Sequence, residues 1–262
     1  MAKRSFAGKR VLLTGASSGI GWHLASNLVR AGAFVVMTSR REQRLAELRR
    51  AFGNPQKRLI AVPGDISDPE HRRHFVDTAA QELGGIDVVI NNAGVGAIGD
   101  FATASPDRLR HLFEVDFFAA VELTRIALPI LKRGRQPAIC NVNSVLGHRA
   151  VPNKSEYCAA KFALRGWSDA LRIELQPRGI DVVSVSPSTT RSEFFDSLID
   201  TVRGTRSASI GAQSPELVAR KVMVALQKRK RDLILSPGGK ALVLLNRIAP
   251  GLTDGLLLRY AT

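Results

Sequence analysis

Two side chains with complementary acid–base chemistry stand four positions apart in the segment SEYCAAKFAL, which runs from Ser155 to Leu164. The chain has two tyrosines, and one of them, Tyr157, comes four residues before Lys161. An α-helix advances about 3.6 residues per turn, so a phenol and an ammonium at this spacing share one helix face. The pair is either an ordinary polar helix face or a proton donor beside the cation that tunes its pKa.

A second chemical feature is the glycine-rich segment TGASSGIG, from Thr14 to Gly21. Gly15, Gly19 and Gly21 lie between a short apolar run and a segment with helical apolar spacing. Glycines at a strand-to-helix turn let the backbone turn tightly and approach a pyrophosphate at the helix N-terminus. The spacing differs from the common G-x-G-x-x-G pattern, so the prediction of nucleotide binding depends on the place between strand and helix.

The next apolar run ends in MTSRR, and the charge at this point bears on the choice of cofactor. No Asp or Glu occupies positions 39 to 41, where an acidic residue would hold a ribose 2′-hydroxyl. Arg40 offers a guanidinium instead, whose geometry suits the 2′-phosphate of NADP(H). The alternative is a surface arginine that is unrelated to a cofactor.

These residues need a fold that brings several strand ends together. Short β-branched runs alternate with amphipathic segments of ten or more residues, a pattern that predicts βαβ units and a parallel sheet. We expect an α/β fold, a single Rossmann-like doubly wound parallel sheet of about seven strands flanked by helices, in one domain over residues 1–262. Ligands of such sheets bind beyond the carboxyl ends of the strands. The predicted strands lie in KRVLLTG, AFVVMTSR, RLIAVPGD, GIDVVINNAG, AICNVNS, IDVVSVSP and RDLILSP.

Composition narrows the functional classes. The chain has 262 residues, two cysteines and 45% hydrophobic residues, which favours a globular, cytoplasmic protein without a disulfide framework. The basic N-terminus leads into no signal-peptide core. The net charge of +15 would suit nucleic acid, anionic lipid or an acidic partner. The arginines are scattered and form no nucleic-acid motif, so we do not expect nucleic-acid binding. We also expect no metal site.

Five motifs in order resemble the short-chain dehydrogenase/reductase family over roughly residues 8–190: TGASSGIG, GDIS with Asp65, NNAG at 91–94, Ser144, and Tyr157 with Lys161. The resemblance implies that Tyr157 exchanges a proton with a carbonyl or alcohol oxygen while hydride passes between the substrate carbon and nicotinamide. A cation nearby would lower the tyrosine pKa from about 10. Lys161 would supply that cation and hold the nicotinamide ribose, and Ser144 would hold the substrate oxygen.

The resemblance also implies where NADP(H) binds. The glycine-rich turn would line the pyrophosphate, Asp65 and Ile66 would meet the adenine, and the strand end at 91–94 would lie beneath the adenosine ribose. Asn92 is expected to be structural. The implied cofactor residues are Gly15, Ser17, Ser18, Gly19, Ile20, Arg40, Asp65, Ile66, Asn91, Ala93, Gly94, Tyr157, Lys161, Pro187 and Thr190.

Three departures from the family pattern stand out. Asp116 occupies the place of a fourth catalytic member, an asparagine, and we expect it to act in the site. Ser188 replaces the glycine that follows the proline after the sixth strand. Ser18 is neutral where some NADP-using relatives carry a basic residue, which weakens the preference for NADP(H).

Two further segments bear on the substrate. The loop at about 191–213 begins RSEFFDSLIDTVRG, and Phe194, Phe195 and Leu198 indicate an apolar lid. The tail at about 238–262 has two apolar helical pieces separated at Pro250. It would dock on a partner subunit, cover the substrate mouth or lie on a membrane surface.

We therefore expect an NADP(H)-dependent oxidoreductase that acts on CH–OH groups of an apolar substrate, such as a lipid-, steroid- or retinoid-like ketone and its alcohol. The alternatives are a 3-oxoacyl-[acyl-carrier-protein] reductase, whose acidic partner would suit the positive charge, and a catalytically silent NADP-binding regulator. Relatives pair through the long helices that hold Asp116 and Tyr157, so a homodimer or homotetramer is expected.

Overall fold

A parallel sheet forms the centre of the molecule. The structure, a computed structural model, describes residues 3–53, 58–191, 193–194, 198–199 and 212–260. Within them, seven strands are ordered β3-β2-β1-β4-β5-β6-β7, which confirms the predicted doubly wound fold. The order reverses beside β1, so the cleft between the ends of β1 and β4 is the expected ligand site. The strands are β1 Arg10–Thr14, β2 Phe34–Ser39, β3 Leu59–Pro63, β4 Val88–Asn91, β5 Ala138–Val142, β6 Asp181–Ser186 and β7 Asp232–Ile234.

Helices cover both faces of the sheet. Alternate residues of a strand point to opposite faces, and in β1 the fully buried Leu13 and Leu12 belong to two separate apolar clusters. The first cluster packs under α1, α2 and α7, and the second under α3 and α5. The helices are α1 Gly19–Arg30, α2 Glu42–Ala51, α3 Pro69–Leu83, α4 Pro106–Phe113, α5 Ala119–Leu131, α6 Ser155–Leu175, α7 Pro215–Gln227, α8 Pro237–Ile248 and α9 Pro250–Leu257.

A π-helical turn at Glu114–Phe118 joins α4 to α5. Asp116, at its centre, is 1% exposed. Its Oδ1 accepts a hydrogen bond of 2.8 Å from the backbone N–H of Val95, just beyond β4. This bond ties the wide turn to the end of the sheet, and π turns of this kind are frequent at functional sites.

Candidate active site

A cavity of about 1590 Å³ lies beyond the carboxyl ends of the strands. It runs from the glycine-rich turn past Ser144 and Tyr157 to α8 and α9. Ligand pockets usually enclose about 300–1,000 Å³, so this one has room for a dinucleotide and a substrate together. All the predicted site residues line it except Asp116 and Asn91, which lie behind its wall.

Three predicted catalytic side chains meet in this cavity. Tyr157 and Lys161 lie one turn apart on α6, with Lys161 Nζ 5.6 Å from the centre of the tyrosine ring. Ser144 follows β5, and its hydroxyl both accepts from the backbone N–H of Leu146 at 3.1 Å and hydrogen-bonds the Tyr157 side chain. A hydroxyl, a phenol and an ammonium therefore converge on one place where a polar substrate atom fits.

Asp116 acts on this group through Lys161. Its Oδ2 lies 3.5 Å from Lys161 Nζ, at the outer limit of a hydrogen bond, and both side chains are buried. Gly94 leaves room for the pair, because a Cβ at that position would lie 2.9 Å from Asp116 Oδ1 and 3.5 Å from Lys161 Nζ. Asp116 does not line the cavity, so it does not reach the space for a substrate, and its predicted part in catalysis stays a prediction.

The electrostatics at Tyr157 differ from the sequence-based expectation. Burial raises the pKa of the Tyr157 phenol above its ordinary value, and the Asp116 carboxylate raises it further, while the hydrogen bond with Ser144 lowers it. The cation of Lys161 was expected to lower this pKa. The Asp116 carboxylate lies 3.5 Å from that ammonium, and its negative charge opposes the effect of the cation at the phenol.

Asp116 itself is strongly desolvated. Burial raises the pKa of its carboxyl, against the opposing effects of the Lys161 charge and the Val95 N–H. The carboxylate therefore depends on its two partners to remain ionised.

The glycine-rich turn fits a dinucleotide. Gly15 and Gly19 have φ angles of +69° and +51°, which side chains rarely adopt. A Cβ at Gly15 would lie 2.8 Å from the Ala93 Cα, and one at Gly21 would lie 2.0 Å from the Gly15 carbonyl oxygen. No side chain among the described residues caps the first turn of α1, so its N–H groups remain available to an anion such as pyrophosphate.

The two asparagines at the end of β4 both make structural hydrogen bonds. The Asn91 side chain is buried in the sheet and donates to Asn141 Oδ1 at 2.8 Å and to Thr124 Oγ1 at 3.1 Å. Asn91 does not line the cavity and its amide is already hydrogen-bonded, so its predicted contact with the cofactor stays a prediction that this geometry does not favour. Asn92 lines the cavity and donates to the carbonyl oxygens of Thr14 and Gly15 at 3.0 and 3.1 Å, which holds the glycine-rich turn.

Asp65, Ile66 and Arg40 line the other end of the cavity. The Asp65 carboxylate accepts from the backbone N–H and hydroxyl of Ser67 at 2.9 and 2.8 Å. Burial alone would raise the pKa of Asp65, but these bonds and the charge of Arg40 outweigh it, and the pKa is lowered. Arg40 is exposed at the rim, where an incoming anion can meet it.

A second guanidinium at this end was missed by the sequence analysis. Arg41 Nε donates to Ser17 Oγ of the glycine-rich turn at 3.1 Å, and Arg41 Nη1 pairs with Glu193 at 2.6 Å. Arg44 reaches the same carboxylate at 3.4 Å and stacks over Trp22. Arg41 is the second arginine of MTSRR, but the sequence does not show that its side chain reaches the glycine-rich turn.

The described part of the predicted lid packs against the catalytic group. The Phe194 ring meets the Tyr157 ring edge-on at 5.9 Å. Gly96 makes this possible, since a Cβ there would lie 2.7 Å from Phe194 and 2.9 Å from Leu198. The two lid residues form an apolar wall of the cavity. Phe195 lies outside the described residues.

The loop after β6 joins the catalytic loop to the tail. The carbonyl oxygen of Pro187 accepts from the Val145 N–H at 2.8 Å, and the Ser188 hydroxyl donates to Ser236, the N-cap of α8. Thr190 Oγ1 donates to the Ser188 carbonyl at 3.2 Å. The serine in place of glycine thus fixes this loop to the tail.

The two tail helices, separated at Ala249, form part of the cavity wall. Leu242, Leu256 and Leu257 line it. Covering the substrate mouth was one of the three roles predicted for the tail.

Comparisons with known proteins identify the family of the chain. Residues 9–203 match the model of the short chain dehydrogenase family. The chain is 34% identical over 232 residues to the ketoacyl reductase HetN of Nostoc sp., covering 88% of this chain and 80% of that protein. It is 32% identical over 254 residues to dehydrogenase/reductase SDR family member 7B of Bos taurus, covering 92% of this chain and 78% of that protein.

Solved structures share the fold. A short-chain dehydrogenase/reductase of Burkholderia phymatum in complex with NAD superposes with a TM-score of 0.86 at 22% identity, over 95% of this chain and 96% of that one. A short-chain dehydrogenase of Burkholderia cenocepacia in complex with NADP gives a TM-score of 0.79 at 29% identity, over 90% of this chain and 100% of that one. The motifs, the sheet order and the family match agree, and the chain belongs to the short-chain dehydrogenase/reductase family of oxidoreductases.

Proposed function

We propose that this protein is an NADP(H)-dependent reductase of an apolar carbonyl compound, acting on the pair of a C=O group and its CH–OH product. The observation that carries the proposal is the convergence of Ser144, Tyr157 and Lys161 on a cavity whose far walls are apolar. Bound NADPH would supply the hydride.

The chain's own residues would handle the substrate oxygen. Ser144 would donate a hydrogen bond to the carbonyl oxygen and hold it beside Tyr157. Tyr157 would give its phenolic proton to that oxygen as negative charge develops there. The raised pKa of Tyr157 keeps the proton on Oη at neutral pH, where it is available for donation to the carbonyl oxygen. Lys161 would hold the nicotinamide ribose.

Two arginines support NADP(H) over NAD(H). Arg40 lies at the rim, and Arg41 reaches the glycine-rich turn through Ser17. Arg41 thus supplies the basic group that Ser18 does not. A guanidinium forms paired hydrogen bonds to a phosphate, and no acidic residue at positions 39–41 would accept from a ribose 2′-hydroxyl.

The cavity walls support a large apolar substrate. Phe194 and Leu198 of the lid line the cavity together with Leu242, Leu256 and Leu257 of the tail. A lipid-, steroid- or retinoid-like ketone has the apolar surface that such walls would bury. A 3-oxoacyl thioester on an acidic carrier protein is the second candidate, supported by the name of the Nostoc relative and by the net charge of +15.

A homodimer or homotetramer is proposed, with pairing through the helices that hold Asp116 and Tyr157. Apolar side chains are exposed on these helices, which supports a partner there. These exposed side chains are Leu109, Phe118, Phe162 and Ile173.

A cytoplasmic location stays a prediction.

The test is consumption of NADPH by the purified protein with a panel of carbonyl compounds. The panel contains 2-decanone, decanal, a steroid ketone and an acetoacetyl thioester, and NADH replaces NADPH in a parallel series. Preference for the first three with NADPH supports the proposal, and preference for the thioester supports the second candidate. NADPH binding without turnover of any compound would favour a catalytically silent regulator.

The Tyr157→Phe variant tests the mechanism. It removes the proton donor and should lower turnover at least 10²-fold. The dissociation constant of NADPH should stay within about threefold, because the phenyl ring still packs in place. Retention of most of the activity would show that another group donates the proton.

A further inference from the structure

The outer side of the tail exposes large apolar side chains. Leu244 and Ile248 of α8 are 58% and 73% exposed, and Leu252 and Leu256 of α9 are 59% and 43% exposed. Each pair is four residues apart and lies on one side of its helix. We refer to these four side chains as the tail face. Grouped exposure of apolar side chains marks an interaction surface.

The inner side of the tail is fixed to the rest of the protein. Arg149, which follows the Ser144 loop, donates to Asn246 Oδ1 of α8 at 2.9 Å and pairs with Asp254 of α9. Thr253 is fully buried. The tail face is therefore held outward by two packed helices.

Basic residues flank the tail face. Lys240 and Arg247 are exposed and lie within about 100° of Leu244 and Ile248 around the axis of α8. Arg259 is exposed just beyond α9. The single acidic residue between positions 237 and 260 is Asp254, which Arg149 already pairs. The surface combines apolar side chains with an excess of positive charge.

We propose that the tail face docks on the surface of an anionic lipid bilayer. The four apolar side chains would enter the boundary between headgroups and acyl chains, and Lys240, Arg247 and Arg259 would lie at the lipid phosphates. A second copy of this chain fits less well, because pairing two tail faces brings their basic residues together. None of the described helices is long and apolar enough to cross a bilayer, so the contact is with one surface.

This surface adjoins the cavity mouth. Leu256 belongs to the tail face and also lines the cavity, beside Leu257. A docked tail would place the mouth against the acyl chains, from which an apolar molecule could enter without crossing water. The docking itself does not depend on the proposed reductase activity, and its test uses no substrate.

The experiment is sedimentation of the full-length protein with vesicles of 30% phosphatidylglycerol and 70% phosphatidylcholine. We expect binding at 50 mM salt, weaker binding at 500 mM salt, and little binding to pure phosphatidylcholine. Ile248→Glu should weaken binding at least tenfold, because it places a carboxylate in the apolar contact. Arg247→Gln should weaken it about fivefold, since one basic residue near such a surface contributes about 1 kcal/mol.

Phe101→Glu is the matched control, because Phe101 is 71% exposed and lies outside the tail. It should bind the vesicles as the unchanged protein does. NADPH affinity reports on folding of each variant, and Leu244→Gln replaces Ile248→Glu if that variant does not fold. Failure of the unchanged protein to bind, or equal loss in the control, would overturn the proposal. A change of oligomeric state in Ile248→Glu without vesicle binding would assign the tail face to a second copy.

Discussion

Replacing Asp116 by asparagine should lower the pKa of Tyr157 by about one unit. Lys161 Nζ lies 3.5 Å from the carboxylate and 5.6 Å from the centre of the tyrosine ring, so the carboxylate lies within about 9 Å of the ring. Two unit charges at that separation interact by about 1.8 kcal/mol at an effective dielectric constant of about 20. At about 1.36 kcal/mol per pKa unit, this interaction corresponds to about one unit.

The direction follows from the charges. The Asp116 carboxylate disfavours a second negative charge on the phenol, and it is the second-largest cause of the raised Tyr157 pKa after burial. Asparagine is neutral and nearly isosteric, and its amide oxygen keeps an acceptor for the Val95 N–H. The π turn and the end of β4 should therefore stay in place while the field at Tyr157 changes.

The assay is a pH–rate profile of alcohol oxidation with NADP, in which the rate rises with the fraction of phenolate. On the rising limb, a pKa one unit lower gives a rate up to about tenfold higher at a fixed pH. Asp107→Asn is the control, since it removes the same charge from α4 at a side chain that is 95% exposed. An unchanged or higher pKa in Asp116→Asn, or an equal shift in the control, would refute this coupling.

Three further predictions concern the cofactor end. Arg40→Asp should weaken NADP binding by about ten- to a hundredfold, the cost of one charge-assisted contact; titration of both cofactors checks this, and an unchanged NADP-to-NAD ratio would place Arg40 outside the site. Glu193→Gln should strengthen NADPH binding about two- to fivefold, because it frees Arg41 from an exposed ion pair, whereas an effect of equal size on NADH would contradict that reason. Gly15→Ala should destabilise the protein more than Gly84→Ala in thermal unfolding. The two positions have nearly the same φ, but of the two only Gly15 lies against another backbone segment. Equal losses of stability would show that φ strain alone decides.

The sequence predicted the sheet because its strands are strongly apolar. Five of the seven predicted segments contain largely buried strands, and the other two, Leu59–Pro63 and Asp232–Ile234, are the partly exposed edges of the sheet. Helix α2, Glu42–Ala51, was not predicted. It buries only Leu45 and Leu48 in a segment rich in charged residues, so its apolar periodicity is too sparse to indicate a helix without the packing against β2 and β3.

The sequence predicted which residues meet in the site, but it did not predict the direction of the Tyr157 pKa shift. Parallel strands bring their carboxyl ends to one edge, and the motifs therefore had to meet there. The pKa of Tyr157 depends on opposed effects of burial, Asp116 and Ser144, each of which changes with distance. Asp116 reaches Lys161 because a π turn and the Val95 N–H direct its side chain. Since those contacts join three elements that are distant along the chain, residue spacing does not encode whether the ammonium near the phenol acts alone or beside a carboxylate.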